Sequence, residues 1–133
     1  MKELHEITDL LYGDGISMPG AKVSQDEAVR IVRERYPYAE YCVVTDWRWI
    51  DLDVTPAQLA ELEKTSRKPA IILANNVIYD SARRWDQGDF VRTSPLHVCR
   101  EGFLFQTLNS VYVLLGDGLR KKATVDTVGR IVF

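Results

Sequence analysis

The periodicity of the chain changes at Ala70. Before it, helix-start signals recur. Ser24-Gln25-Asp26-Glu27 has the form of a capping box, with Ala28, Ile31 and Val32 at helical spacing behind it. Pro37 closes that segment because the residue before a proline avoids the α region, so the pattern predicts a helix over 25–36. Thr55-Pro56-Ala57-Gln58 is a second start, with Thr as N-cap, Pro at the first helical position and Gln three residues on. Leu59 and Leu62 form the inner face of that helix, which ends near Thr65. Leu4, Ile7, Leu10 and Leu11 mark a shorter amphipathic helix over 2–12, stopped by Gly13-Asp14-Gly15. The stretch to Val23 reads as a loop with a turn at Pro19-Gly20. Tyr41-Cys42-Val43-Val44 opens the one front-half strand, expected from 40 to 49.

From Ala70 onward the apolar runs have strand length. Ala70-Ile71-Ile72-Leu73-Ala74 is a buried strand, and Asn75-Asn76 is either a turn or a polar interruption in a longer strand ending at Tyr79. A loop over 81–87 precedes a strand from Asp89 to Cys99, a short connection at Arg100-Glu101-Gly102 and a return strand over 103–107. Val111-Tyr112-Val113-Leu114-Leu115 is the clearest strand, and Gly116-Asp117-Gly118 reads as a hairpin turn needing positive φ. Residues 119–125 suit an edge strand guarded by lysines, and Asp126-Thr127 suits the cap of a short helix over 127–132. This order predicts an α+β fold: helices of the N-terminal half packed on a mainly antiparallel sheet from the C-terminal half, in a single domain over 1–133.

Composition narrows the class. With 133 residues, 46% apolar and 27% charged, the chain is long and apolar enough to bury a core without staples. The apolar runs are far short of a bilayer span and the first residues hold no signal-peptide core, so a cytoplasmic protein without membrane contact is expected. Residues 1–80 carry 9 Lys+Arg against 14 Asp+Glu, and 81–133 carry 8 against 5, so an acidic front meets a mildly basic back. A net charge of −2 makes nucleic acid an unfavoured partner. Cys42 and Cys99 lie in β-like runs and read as buried, reduced thiols; with two Cys, two His and no Cys-x-x-Cys pair, no zinc site and no cofactor is expected.

Two blocks carry a resemblance. Gly88-Asp89-Phe90-Val91-Arg92-Thr93-Ser94-Pro95-Leu96 is one; Phe105-Gln106-Thr107-Leu108-Asn109-Ser110-Val111-Tyr112-Val113-Leu114-Leu115-Gly116-Asp117-Gly118 with Arg120-Lys121 is the other. Together they resemble a family of small bacterial proteins known only as a domain of unknown function, over about 70–131. The resemblance implies no reaction, cofactor or catalytic residue.

Three constellations hold chemistry. Arg92, Thr93 and Ser94 on one expected strand, Thr107, Asn109 and Tyr112 on the next, and Arg120 and Lys121 beyond would bind an anion or a polar small molecule if one sheet face gathered them. The simpler reading is a solvated face with cross-strand hydrogen bonds. Arg83-Arg84-Trp85 and Trp47-Arg48-Trp49 interleave cations with aromatics, as protein interfaces do; Arg83, Arg84 and Trp85 are expected in an exposed loop, and Arg48 is expected to point outward. Arg83, Arg84, Lys121 and Lys122 would carry a nucleic-acid reading. His97 and Cys99 point the same way on a strand, but about 6.5–7 Å separates such residues and no orienting carboxylate is near, so a half-buried cysteine beside a surface histidine is favoured over a nucleophile and base. Asp51-Leu52-Asp53 needs no role beyond its place at a helix start.

With no recognisable catalytic motif, a non-enzyme is favoured. The expected function is a small binding or accessory protein acting on another protein, an inhibitor or regulator encoded on a mobile element being one version. A small-ligand or anion-binding domain, with weak hydrolase or transferase activity as a variant, is the alternative. Nucleic-acid binding is the third reading.

Overall fold

The computed structural model describes residues 2–129, with side chains from residue 5. Four helices accompany eight strands: α1 (Lys2–Tyr12), β1 (Ile16–Met18), α2 (Gln25–Arg35), β2 (Glu40–Asp53), α3 (Pro56–Lys64), β3 (Ala70–Asp80), β4 (Val91–Arg92), β5 (Val98–Arg100), β6 (Leu104–Gln106), β7 (Ser110–Leu114), β8 (Gly118–Thr124) and α4 (Val125–Gly129). The fold is α+β. At α3 the capping box is complete, Thr55 and Gln58 each bonding the other's backbone. At α2 only half of it forms: Ser24 Oγ accepts from the Glu27 N–H at 3.2 Å, while the Glu27 carboxylate turns to Arg30. The C-terminal helix starts earlier than expected, because Thr124 Oγ1 accepts the Thr127 N–H at 3.1 Å and acts as the cap. The part of the expected 127–132 helix beyond Gly129, and the Leu4 side chain, lie outside the described residues.

The sheet is mixed and curled, which corrects the antiparallel expectation. Its central strand is β2, from the front half. One edge of β2 pairs antiparallel with β3. Along the other edge run β7 and then β8, both parallel to it. Val44 pairs Leu114, but Arg48 pairs Leu119, so the β7–β8 run carries one extra residue there. Gly116-Asp117-Gly118 is therefore a bulge joining collinear strands, not a hairpin turn. Gly116 adopts φ 71°, and the facing Asp46 adopts φ 49°. A Cβ at Gly118 would run into the Trp47 indole, whose N–H donates to the carbonyls of Leu115 and Gly116 at 3.3 and 3.2 Å.

The irregularity at Asp46 resets the alternation of β2. Cys42 and Val44 share a face with Trp47 and Trp49, where strict alternation would have separated the two pairs. That face joins Ile72, Val77, Val91, Leu96, Phe105 and Leu114 in the main core. On the opposite face, Ala28 and Val32 of α2 cover Tyr41, Val43, Val111 and Val113, while Leu10 of α1 and Val128 of α4 cover Ile50, Ile71 and Leu73.

The alternatives at Asn75-Asn76 resolve into one continuous strand. Asn75 and Asn76 donate to Asp46 Oδ2 and Thr45 Oγ1 at 3.0 and 2.9 Å, tying β3 to β2 at the irregular point. The strand expected from 89 to 99 is instead two short ones, β4 on β3 and β5 on β6. Ser94-Pro95 separates them, since proline offers no N–H to a ladder. The connection at Glu101 and Gly102 is a hairpin as expected, both with positive φ. Strand β8 is not an edge: β1, in the stretch expected to be loop, pairs antiparallel with its outer side. Among the described residues, no helix is long and apolar enough to cross a membrane.

Candidate functional site

Strand β3 ends at Asp80, which pairs with Cys42 and whose side chain is wholly buried. A buried carboxylate needs donors, and the chain supplies them within five residues. Arg83 turns with φ 54°, bringing the backbone N–H groups of Arg84 and Trp85 to Asp80 Oδ2 at 2.6 and 3.4 Å. The Arg84 guanidinium closes on the same carboxylate in a bidentate fork, Nε at 3.1 Å and Nη2 at 2.8 Å. Its Nη1 donates to Ser110 Oγ at 2.6 Å and lies 3.7 Å from the Glu40 carboxylate. The guanidinium sits over the Trp85 ring at 4.7 Å, and that ring meets Tyr112 at 6.3 Å. Beyond Trp85, the Asp86 N–H donates to Asp89 Oδ2, the Gly88 N–H to the Val77 carbonyl, and the Val77 N–H to the Asp89 carbonyl. The whole 81–90 loop is thus tied back to the sheet.

The electrostatics follow. Burial pushes the Asp80 carboxyl up, but the hydrogen bonds from the Arg84 side chain and the two backbone N–H groups outweigh it and hold Asp80 below its usual range. Burial also opposes the charge on Arg84, and Asp80 more than restores it. The Cys42 thiol is pushed up to about 12, chiefly by burial and further by the Asp80 charge. Burial takes the Tyr112 phenol to about 12 as well. At neutral pH the thiol and the phenol keep their protons and the carboxylate is spent on Arg84. The cluster therefore offers a fixed cation and an aromatic face, not a nucleophile with its base.

The expected site residues fall in several places. Tyr112, expected on the anion-binding face, joins Arg84 and Trp85 of the loop. Arg84 is exposed as expected, but its guanidinium is not free: the side chain is 28% exposed and bound to Asp80 and Ser110, because a carboxylate at the end of a buried strand claims it. Trp85 is half-buried against the main core, while Arg83 stays exposed.

Arg48 is a second correction. It does oppose Trp47 and Trp49, but that face is covered as well, so Arg48 is only 7% exposed. Its Nη1 lies 3.8 Å from Asp46, and its Nε has no partner among the described residues.

The proposed anion-binding face is dispersed. Arg92 donates to the Val128 carbonyl of α4 at 3.2 Å. Thr93 is buried, accepting the Ile72 N–H and donating to the Ser94 carbonyl, and Ser94 is exposed. Thr107 Oγ1 accepts the N–H groups of Asn109 and Ser110, an ordinary side-chain-closed turn with Asn109 exposed at its tip. Arg120 forks onto Asp51 at 2.7 and 2.9 Å and lies over Trp49, while Lys121 donates to the Asp9 carbonyl near the end of α1. Of the four cations in the nucleic-acid reading, Arg84 and Lys121 are thereby engaged within the fold, while Arg83 and Lys122 are exposed. His97 Nδ1–H donates to the Ser66 carbonyl at 2.8 Å, and burial pushes the Cys99 thiol up. Among the described residues, no group of three His, Cys, Asp or Glu gathers to hold a metal.

Sequence reasoning missed Asp80, Ser110 and Glu40. The usable signal was an acidic residue ending an apolar strand with an arginine four residues on. Ser110 carried none, since its role depends on β7 lying beside β2.

Residues 19–130 match a family described as a domain of unknown function, DUF6957. No curated protein and no solved structure matches the chain.

Proposed function

The chain belongs to the DUF6957 family, and from its geometry we propose that it is a small non-enzymatic binding or accessory protein that contacts another protein through the 81–90 loop. One observation carries this reading: the Asp80 carboxylate holds the backbone and guanidinium of Arg84, so Arg83 and the Arg84–Trp85 stack are set in place before any partner arrives. Presenting cation and aromatic groups from an ordered loop avoids the entropy of ordering them on binding. Arginine and tryptophan are the side chains on which protein interfaces most often concentrate their energy.

The test places a photo-crosslinking amino acid at Arg83, with Lys64 of α3 as the exposed control position, in extract of the native cell. A discrete protein adduct from position 83, missing from position 64 and competed away by excess unlabelled chain, is expected. Absence of an adduct, or the same adducts from both positions, rejects the loop as the contact surface.

A further inference from the structure

A second surface lies on the flank of α2. An open groove of about 510 Å³ is lined by Gln25, Asp26, Val29, Arg30 and Arg33 of the helix and by Tyr79 of β3. Its two arginines differ in kind. Arg30 is clamped between Glu27 and Glu34, so its charge is answered on the helix itself. Arg33 finds a phenol instead: its Nε donates to Tyr41 Oη at 2.9 Å, and its guanidinium lies 5.9 Å from the centre of the Tyr41 ring. Among the described residues, Arg33 forms no ion pair. The Tyr41 ring is buried under α2 and meets the Tyr79 ring at 5.8 Å, which leaves Tyr79 39% exposed at the groove wall. Asp26 stands at the other end, seven residues and roughly 10 Å along the helix from Arg33, within the first turn where a carboxylate is favoured.

We propose that this groove docks an acidic peptide segment of a partner protein, seating a carboxylate on Arg33 and an apolar or aromatic side chain against Val29 and Tyr79. Charge complementarity selects the occupant. The guanidinium is held in position by a neutral hydroxyl, so its fork is oriented but not neutralised, and a carboxylate is the group that matches it bidentately. Asp26 sets the direction, repelling an acidic residue from the far end and leaving the Arg33 end as the seat. The groove is open and shallow, which suits an extended segment better than an enclosed small molecule. This inference rests on the binding role proposed above but on a different surface. Position 83 reports the loop and Arg33 reports the groove, so each can fail alone.

The experiment titrates isotope-labelled protein with two synthetic pools of short peptides, identical in their apolar and aromatic flanks. One pool carries a fixed glutamate and the other a glutamine. The Arg33 Nε–H and Tyr79 amide resonances are expected to shift saturably with the glutamate pool and far less with the glutamine pool. Arg33→Gln should weaken binding about tenfold or more, as the loss of a hydrogen-bonded charge pair does. Tyr79→Ala should weaken it less, and Lys64→Gln, exposed on α3 outside the groove, should leave it unchanged. Amide dispersion like the wild type's checks that each variant is folded. No saturable shift with either pool, equal response to both, or unchanged binding in folded Arg33→Gln and Tyr79→Ala overturns the proposal.

Discussion

Arg84 and Arg33 each lie over an aromatic ring, at 4.7 Å from Trp85 and 5.9 Å from Tyr41. Their surroundings separate them. Arg84 closes on a fully buried carboxylate and a buried serine, and its fork is used up in holding a loop to the sheet. Arg33 rests on a hydroxyl at the rim of an open groove, with its charge unanswered by any ion pair among the described residues. The same side-chain chemistry thus fixes a presenting loop in one place and leaves an unanswered charge in the other. What differs is whether the opposing strand end supplies an acid.

The largest effect is expected from breaking the closed pair. Asp80→Ala leaves the Arg84 guanidinium facing a buried void without its carboxylate, and should cost about 3–5 kcal/mol of stability in urea unfolding. In a double-mutant cycle, adding Arg84→Ala should cost much less than Arg84→Ala does in the wild type; independent, additive losses would show that the two do not act as a unit. Ser110→Ala removes one hydrogen bond to that charge and should cost about 1.5–3 kcal/mol in the same measurement.

Acid sharpens the comparison. Asp80 titrates lower in the folded protein than the ordinary value of about 3.9. Its stabilisation is therefore complete above that value and is lost as pH falls through the folded value. Urea midpoints measured down to about pH 3 should fall more steeply for the wild type than for Asp80→Asn, and parallel curves would contradict the assignment. Thiol labelling reads the enclosure of the same corner. Cys42, buried and pushed up to about 12, should react with a thiol reagent only as the protein unfolds, after the half-buried Cys99. The smallest effect belongs to the open region: Arg33→Gln should leave the melting temperature within error of the wild type, because that arginine supports no buried charge.

Much of the local structure was legible. Ser24 and Thr55 announced their helices because a cap acts within three residues, and the apolar runs at 41–44, 70–74 and 111–115 marked buried strands. The splitting of the 89–99 strand was also written there, in Pro95, which offers no N–H to a ladder. The parallel pairing of β2 with β7 and β8 was not legible, because partners some 70 residues apart leave no local signature in either segment. For the same reason Gly116-Asp117-Gly118 reads locally as a turn, while its function as a bulge depends on Trp47 lying alongside.

The candidate sites divide along the same line. The sequence by itself determined where α2 and α3 start, which apolar runs form buried strands, and that cations and aromatics alternate around Arg48 and Arg84; these depend on near neighbours. Tertiary structure alone decided that Arg48 is covered, that Arg84 belongs to Asp80 and Ser110, that Arg92 and Arg120 lie on separate contacts, and that Arg33 meets two tyrosines from two strands. A guanidinium's role is set by the nearest acceptor in space, and the order of residues along the chain does not specify that distance.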